Sequence, residues 1–168
     1  MSEFEVRQLD EEDRDKVSRL TAEHWGSEIV MVHGVVYKPA ALPGFIAVES
    51  GTEEWLGWIT YQVQGEDCEI VSLNSLLPAR GIGSGLVEAV KDIALKADCR
   101  RLWLITTNDN LEALRFYQKR GFVLVAVHRN TVLESRKMKP EIPLVGKDGI
   151  PIRDEIELEM PLGEEVLG

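Results

Sequence analysis

Between Glu69 and Ala97 the chain changes its hydrophobic period across a cluster of glycines, and that junction limits what it can fold into. The residues Glu69-Ile70-Val71-Ser72-Leu73-Asn74-Ser75-Leu76 read as a strand. Beyond Arg80-Gly81-Ile82-Gly83-Ser84-Gly85, the residues Leu86, Val87, Val90, Ile93, Ala94 and Ala97 recur at three and four, which is a helix with one buried stripe. A strand that enters a helix through a glycine turn directs several backbone N–H groups and the positive helix end at one place. That is an anion cradle, with phosphate as its natural occupant. Glycine suits it by tolerating positive φ and by letting a phosphate approach the backbone. The same residues also fit a turn built only for tight packing, and both readings stand at this level. A P-loop is excluded because no Gly-Lys-Ser/Thr follows, and the dinucleotide fingerprint fails because Leu86 stands where its third glycine belongs.

The rest of the pattern supplies the surroundings. Phe4 to Leu9 reads as a first strand, followed by a helix capped at Asp10 that carries Val17, Leu20 and Thr21 to about His24. Trp25 to Pro43 has no clear period and reads as an excursion. Phe45 to Glu49, Trp55 to Val63 and Glu69 to Leu76 form a meander separated by turn compositions. Leu102 to Thr106 is almost wholly apolar, as expected of a strand covered on both faces. Leu111, Leu114 and Tyr117 mark a helix with capping-box spacing at Asp109 and Glu112 and a left-handed stop at Gly121. Phe122 to Val127 is a strand, Thr131 to Lys139 a helical turn or two, and Leu144 to Ile152 a small hairpin. In the last strand Ile156, Leu158 and Met160 alternate with Glu155, Glu157 and Glu159. No repeat or linker interrupts this order, so the expectation is one mixed α/β domain over residues 1–168.

Composition narrows the partners. A net charge of -10 repels phosphate backbones and anionic headgroups, which argues against nucleic acid or membrane as a whole-surface partner. The acidic start and the absence of a 20-residue apolar run predict neither export nor a membrane span. Two cysteines, Cys68 and Cys99, are too few for a disulfide framework and suit a reducing cytoplasm. Three scattered histidines without ligand spacing predict no metal.

The glycine turn resembles motif A of the GNAT superfamily, the acyl-CoA-dependent N-acyltransferases, whose pattern is Gln/Arg-x-x-Gly-x-Gly/Ala. Literal matching takes Arg80 to Gly85, but then Glu88 falls on a core-facing helix position. Aligning Gly81-Ile82-Gly83-Ser84-Gly85-Leu86-Val87 with the family's Gly-Ile-Gly-Ser-Ala-Leu-Leu keeps the apolar stripe in phase and leaves Pro78 where Gln or Arg is expected. Asn108 to Phe122 looks like the Asn-x-x-Ala-x-x-x-Tyr-x-x-x-Gly-Phe of motif B, with Asn110, Ala113, Tyr117, Gly121 and Phe122 in register. Together the motifs cover about Glu69 to Val127. The resemblance implies an α/β fold of GNAT type, a mixed, mostly antiparallel sheet flanked by helices and splayed between its fourth and fifth strands.

It also implies acetyl-CoA as co-substrate. Its pyrophosphate would lie on Arg80, Gly81, Ile82, Gly83, Ser84 and Gly85, and its pantetheine arm would run along Ser75 and Leu76, where a bulge near Asn74 to Leu76 would offer backbone groups. Asn110 would hydrogen-bond the arm or, alternatively, cap the helix. Tyr117 matches the family's tyrosine that protonates the departing thiolate, although an aromatic there also packs against the sheet; Phe116 beside it reads as core. Glu69 is the candidate base for the acceptor amine, with Glu66, water or an ordinary strand glutamate as the other readings. Acceptor specificity is expected in 25–43 and 128–151, where Trp25, His33, Tyr37, His128 and Arg129 would line a pocket. The resulting expectation is N-acetyl transfer to a primary amine of a small molecule or peptide, by direct attack in a ternary complex. The alternative is a non-catalytic acyl-CoA sensor. Homodimers are common in the family.

Overall fold

Alternating apolar residues and turn glycines produce the strands, and i, i+3, i+4 stripes produce the helices. A computed structural model describes residues 3–77 and 80–163; Pro78 and Ala79, within the expected phosphate loop, lie outside the described residues. The elements run β1 (Phe4–Gln8), α1 (Arg14–Trp25), β2 (Val30–Val32), β3 (Val35–Tyr37), β4 (Gly44–Glu49), β5 (Trp55–Gln64), β6 (Asp67–Ser75), α2 (Ile82–Lys96), β7 (Arg101–Thr107), α3 (Leu111–Lys119), β8 (Val123–His128), α4 (Thr131–Met138) and β9 (Glu155–Pro161). The fold is mixed α/β of GNAT type, with seven mostly antiparallel sheet strands and four flanking helices. The described chain divides into two compact units, residues 3–30, 38–102 and 161–163 in one, and residues 31–37 and 103–160 in the other.

In the first unit β1, β4, β5 and β6 pair antiparallel in that order. Asp10 caps the turn before α1: its carboxylate accepts from the Glu12 amide at 2.9 Å while Asp13 accepts from the Asp10 amide at 2.9 Å. Arg7 forks onto Asp13 at 2.9 and 3.2 Å, which holds the Asp13 carboxyl below its ordinary range. One sheet face packs Ile46, Val48, Trp55 and Trp58 against Val17 and Leu20 of α1. Each such aliphatic side chain, once buried, contributes about 1.5–3 kcal/mol. On the other face α2 approaches Gly57, where an added Cβ would stand 2.9 Å from Ile82 and 3.4 Å from Leu86.

In the second unit β9 lies between β7 and β8 and pairs antiparallel with β8. Asn108 ties the turn after β7 to the stretch before β9: its Oδ1 accepts from the Arg153 and Asp154 amides at 2.9 Å, and its Nδ2 donates to Pro151 at 2.9 Å. Arg136 of α4 donates to the carbonyls of Ile142, Pro143 and Ile152, which holds the long connection in place.

Several expectations change. The aperiodic Trp25 to Pro43 segment contains the β2–β3 hairpin, turned at His33-Gly34 with both residues at positive φ, 42° and 79°. Two such residues suit a type I′ turn, whose twist matches the strands. The hairpin at Leu144 to Ile152 reduces to one bridge, Val145 to Pro151, over a single 3-10 turn at Lys147–Gly149. Phe122 is buried but precedes β8.

Candidate functional site

The glycine turn shows three different reasons for glycine. Gly81 is the N-cap of α2 at φ 77°, gives no side-chain cap, and an added Cβ there would meet nothing within 4 Å. It therefore serves the turn and leaves its surroundings open. The Gly85 N–H donates to the Gly81 carbonyl at 3.0 Å, so the amides of Ile82 and Gly83 precede the helical ladder. Gly85 is a packing glycine: its missing Cβ would lie 3.1 and 3.3 Å from the Phe4 ring and 3.7 Å from Val6. Ile82, Leu86, Val87, Val90 and Ala94 are buried and Glu88 is exposed, which is the helix phase of the second alignment. Arg80 borders the turn, but its guanidinium meets both oxygens of Glu49 at 3.3 Å, and that hydrogen-bonded pair raises the Arg80 pKa further.

The strand leading into the turn differs from expectation in where it bulges. Thr60 pairs with Ser72 and Tyr61 with Ile70, so the extra residue of β6 is Val71. Ser75 and Asn74 pair regularly with Gly57 and Trp58, and the Leu76 amide donates to the Leu56 carbonyl at 2.8 Å. The shift is physical: a bulge falls where the two strand registers disagree, which involves β5 as much as β6. The Ser75 hydroxyl donates to the Leu77 carbonyl at 3.1 Å. Glu69 is buried, 5% exposed, on β6 opposite Gln62, not an exposed strand glutamate, whereas Glu66 lies exposed in the preceding turn. Cys68 is fully buried, and its thiol is pushed up to about 12 mainly by that burial.

The second unit holds Asn110 and Tyr117. Asn110, not Asp109, caps α3: its Oδ1 accepts from the Ala113 amide at 3.3 Å, and its Nδ2 donates to Thr106 Oγ1 at 3.2 Å. Asp109 is buried and ties together the turn, accepting from Thr107 Oγ1 at 2.5 Å and from the Lys147 amide at 3.1 Å. Gly146 approaches it closely enough that no Cβ would fit. Tyr117 is 6% exposed, with edge-on rings at 5.0 Å from Phe116 and 5.2 Å from Phe122, and burial pushes its phenol well above the ordinary value. Gly121 at φ 100° stops the helix, and Arg120 donates to the Phe116 carbonyl at 2.9 Å.

Of the residues expected around an acceptor, His33 and His128 share a wall of one cavity of about 600 Å³ within the second unit. Tyr37 stands behind His33, its hydroxyl 3.5 Å from Nε2. Trp25 belongs to the first unit, where its Nε1 donates to Asn74 Oδ1 at 3.4 Å, and Arg129 does not line the cavity. Trp103, Glu155 and Glu157 do line it, and the sequence reading missed all three. The apolar run of β7 hid Trp103: Leu102 and Leu104 are buried, whereas Trp103 and Ile105 are half-buried on the cavity wall, so β7 is not covered on both faces. The signal for the glutamates was present. Three like charges on one face of β9 repel one another unless something cationic faces them.

Among the described residues no group of three or more His, Cys, Asp or Glu could hold a metal ion, and no helix is long and apolar enough to cross a membrane.

The profile of the acetyltransferase (GNAT) family matches residues 7–122. An uncharacterized Bacillus subtilis (strain 168) protein, YdhI, is 48% identical over 136 residues, 80% of this chain and 84% of that protein. An IAA acetyltransferase from Bacillus cereus ATCC 14579 superposes with a TM-score of 0.70 at 19% identity, covering 95% of this chain and 99% of that one. A GNAT family acetyltransferase from Elizabethkingia anophelis, solved with acetyl-CoA bound, superposes at 0.66 and 19% identity, covering 96% of this chain and 100% of that one.

Proposed function

The chain belongs to the GNAT acetyltransferase family, and from that membership we propose that it transfers acetyl from acetyl-CoA to a primary amine by direct attack in a ternary complex. The observation that carries this reading is the start of α2. A glycine cap with open space beside it and no side-chain cap leaves the first-turn amides of Ile82 and Gly83 as donors for a pyrophosphate. Arg80 adds charge at the border, and a phosphate there competes with Glu49 for it. Ser75, Leu76 and the Val71 bulge are the proposed lining for the pantetheine arm. By the motif it matches, Asn110 is proposed to donate the second hydrogen of its Nδ2 to the arm, since Thr106 engages only one.

The reaction forms a C–N bond at the thioester carbonyl and breaks its C–S bond. The acceptor nitrogen, arriving as an ammonium, sheds one proton to Glu69 or to water before it attacks and a second as the amide forms. The departing thiolate takes one from Tyr117, which regains it from that second proton, so one proton is released overall. A phenol ordinarily titrates near 10 and a thiol near 8.5, so full transfer to sulfur is uphill by at least about 2 kcal/mol. Burial of Tyr117 enlarges that gap while keeping the phenol neutral, so its contribution is a hydrogen bond that strengthens as sulfur gains charge, with the proton following. Direct attack fits the cysteines: burial raises both Cys68 and Cys99, and a neutral thiol is a poor nucleophile for a covalent acetyl intermediate.

Labelled acetyl-CoA incubated with a panel of amines tests the reading, with CoA calorimetry beside it. Acetylated amine is the expected product, and failure to bind CoA overturns the proposal. Bound CoA with no transfer to any amine, and no difference between wild type and Tyr117→Phe, identifies an acyl-CoA sensor instead.

A further inference from the structure

Glu155 is only 4% exposed, and its two carboxylate oxygens differ. Oε2 accepts from the His33 amide at 3.0 Å, whereas buried Oε1 has no hydrogen-bond partner. A buried carboxylate oxygen without a donor is costly, and Glu155 is one of the residues lining the cavity of the second unit, so a small turn of its carboxylate toward a donor in that cavity relieves the cost. The other charged groups on the wall are already matched: His128 Nε2 lies 3.0 Å from Glu157, and Lys137 Nζ 3.3 Å from Glu134. The wall therefore offers a spare acceptor for a cation and only already-paired cations for a ligand's acid group. Trp103 supplies an aromatic surface, with the His33 ring 5.3 Å away and tilted by 35°. An ammonium over such a face gains a cation–π attraction. The volume of about 600 Å³ falls within the range of roughly 300–1,000 Å³ that small ligands occupy.

We propose that this cavity binds the acceptor, and that the acceptor is a small organic amine carrying no carboxylate or phosphate, which enters as an ammonium held by Glu155 beside Trp103 and gives up a proton before it attacks. The word acceptor rests on the acetyltransferase reading; the binding does not. An amino acid would set its carboxylate against Glu155 and Glu157 with no unpaired cation to receive it, and is disfavoured for that reason.

The test is calorimetric titration of the full chain with matched pairs that differ by one carboxylate, cadaverine against lysine and phenethylamine against phenylalanine, with and without CoA. In at least one pair the amine binds tenfold or more tightly than the amino acid. Glu155→Gln, which keeps an oxygen for the His33 amide and removes the charge, weakens that amine by about tenfold to a hundredfold, the worth of one buried charged hydrogen bond. Amino acids that bind as tightly as their amines, a Glu155→Gln protein that binds the amine like wild type, or no binding by either amine overturns the site. If Glu155→Gln does not fold, the matched pairs in wild type decide alone. Acetylation of other amines by a protein that binds neither cadaverine nor phenethylamine refutes this site and leaves the acetyltransferase reading intact. Binding of these amines without CoA affinity does the reverse.

Discussion

Replacing Gly81 and Gly85 separately by alanine separates the two reasons for glycine at the start of α2. At Gly81, φ 77° is left-handed backbone, which costs an alanine about 1–2 kcal/mol. The reduced entropy of the unfolded chain returns about 0.4–1 kcal/mol. Open space around the new methyl adds no clash, so the net loss is about 1 kcal/mol. At Gly85, inside the helix, alanine gains up to about 1 kcal/mol of helix propensity. Its Cβ meets the Phe4 ring at 3.1 and 3.3 Å, so the ring must yield by a few tenths of an ångström. Phe4 is only half-buried and stands at the start of β1, so it can yield, and a net gain of about 0.5 kcal/mol remains. For a chain of 168 residues, where 1 kcal/mol shifts Tm by about 2–4 °C, Gly81→Ala lowers Tm by about 2–4 °C and Gly85→Ala raises it by about 1–2 °C. Scanning calorimetry reads both, and CoA titration of Gly85→Ala gives wild-type affinity because that methyl points at Phe4 and Val6. A Gly85→Ala protein that loses CoA affinity tenfold, or more than about 1 kcal/mol of stability, refutes the packing assignment, and a neutral Gly81→Ala refutes the turn assignment.

Gly83→Glu sets a carboxylate in the proposed cradle and abolishes CoA binding in calorimetry while the circular dichroism melt stays within a few degrees of wild type; retained affinity removes the cradle. Tyr117→Phe lowers kcat by about a hundredfold to ten-thousandfold with KM for acetyl-CoA little changed, as loss of a proton donor at the leaving group requires, and an unchanged kcat excludes the acid role. Above pH 9 the protein loses stability: Cys68 ordinarily titrates near 9.0 and is pushed to about 12 in the fold, so its contribution is complete below pH 9 and is lost as pH rises toward 12. Urea melts between pH 8 and 11 read a fall of up to about 1.4 kcal/mol per pH unit from this one group, and an equally steep fall in Cys68→Ala contradicts it.

Much of the fold was legible because its causes are local. Period and turn composition located β4, β5, β6, α2, α3 and the final strand to within a few residues. The two-residue turn at His33-Gly34 carried a hairpin signal, but three-residue strands are too short for a period to stand out. Capping was harder to read. Asp109 and Asn110 are both good caps, and what separates them is that Asp109 is drawn to Thr107 and Lys147, the latter 38 residues away in sequence.

By itself the sequence determined most of the elements, the helix phase of α2 and the family, since periodicity, left-handed glycines and motif spacing are properties of neighbouring residues. Tertiary structure alone decided that Gly85 packs on Phe4, that β6 bulges at Val71 and that Glu155 is buried with one oxygen unpaired. Each of these depends on which distant backbone lies alongside. The cost or use of a charge depends on that neighbour and not on the residues beside it in the chain.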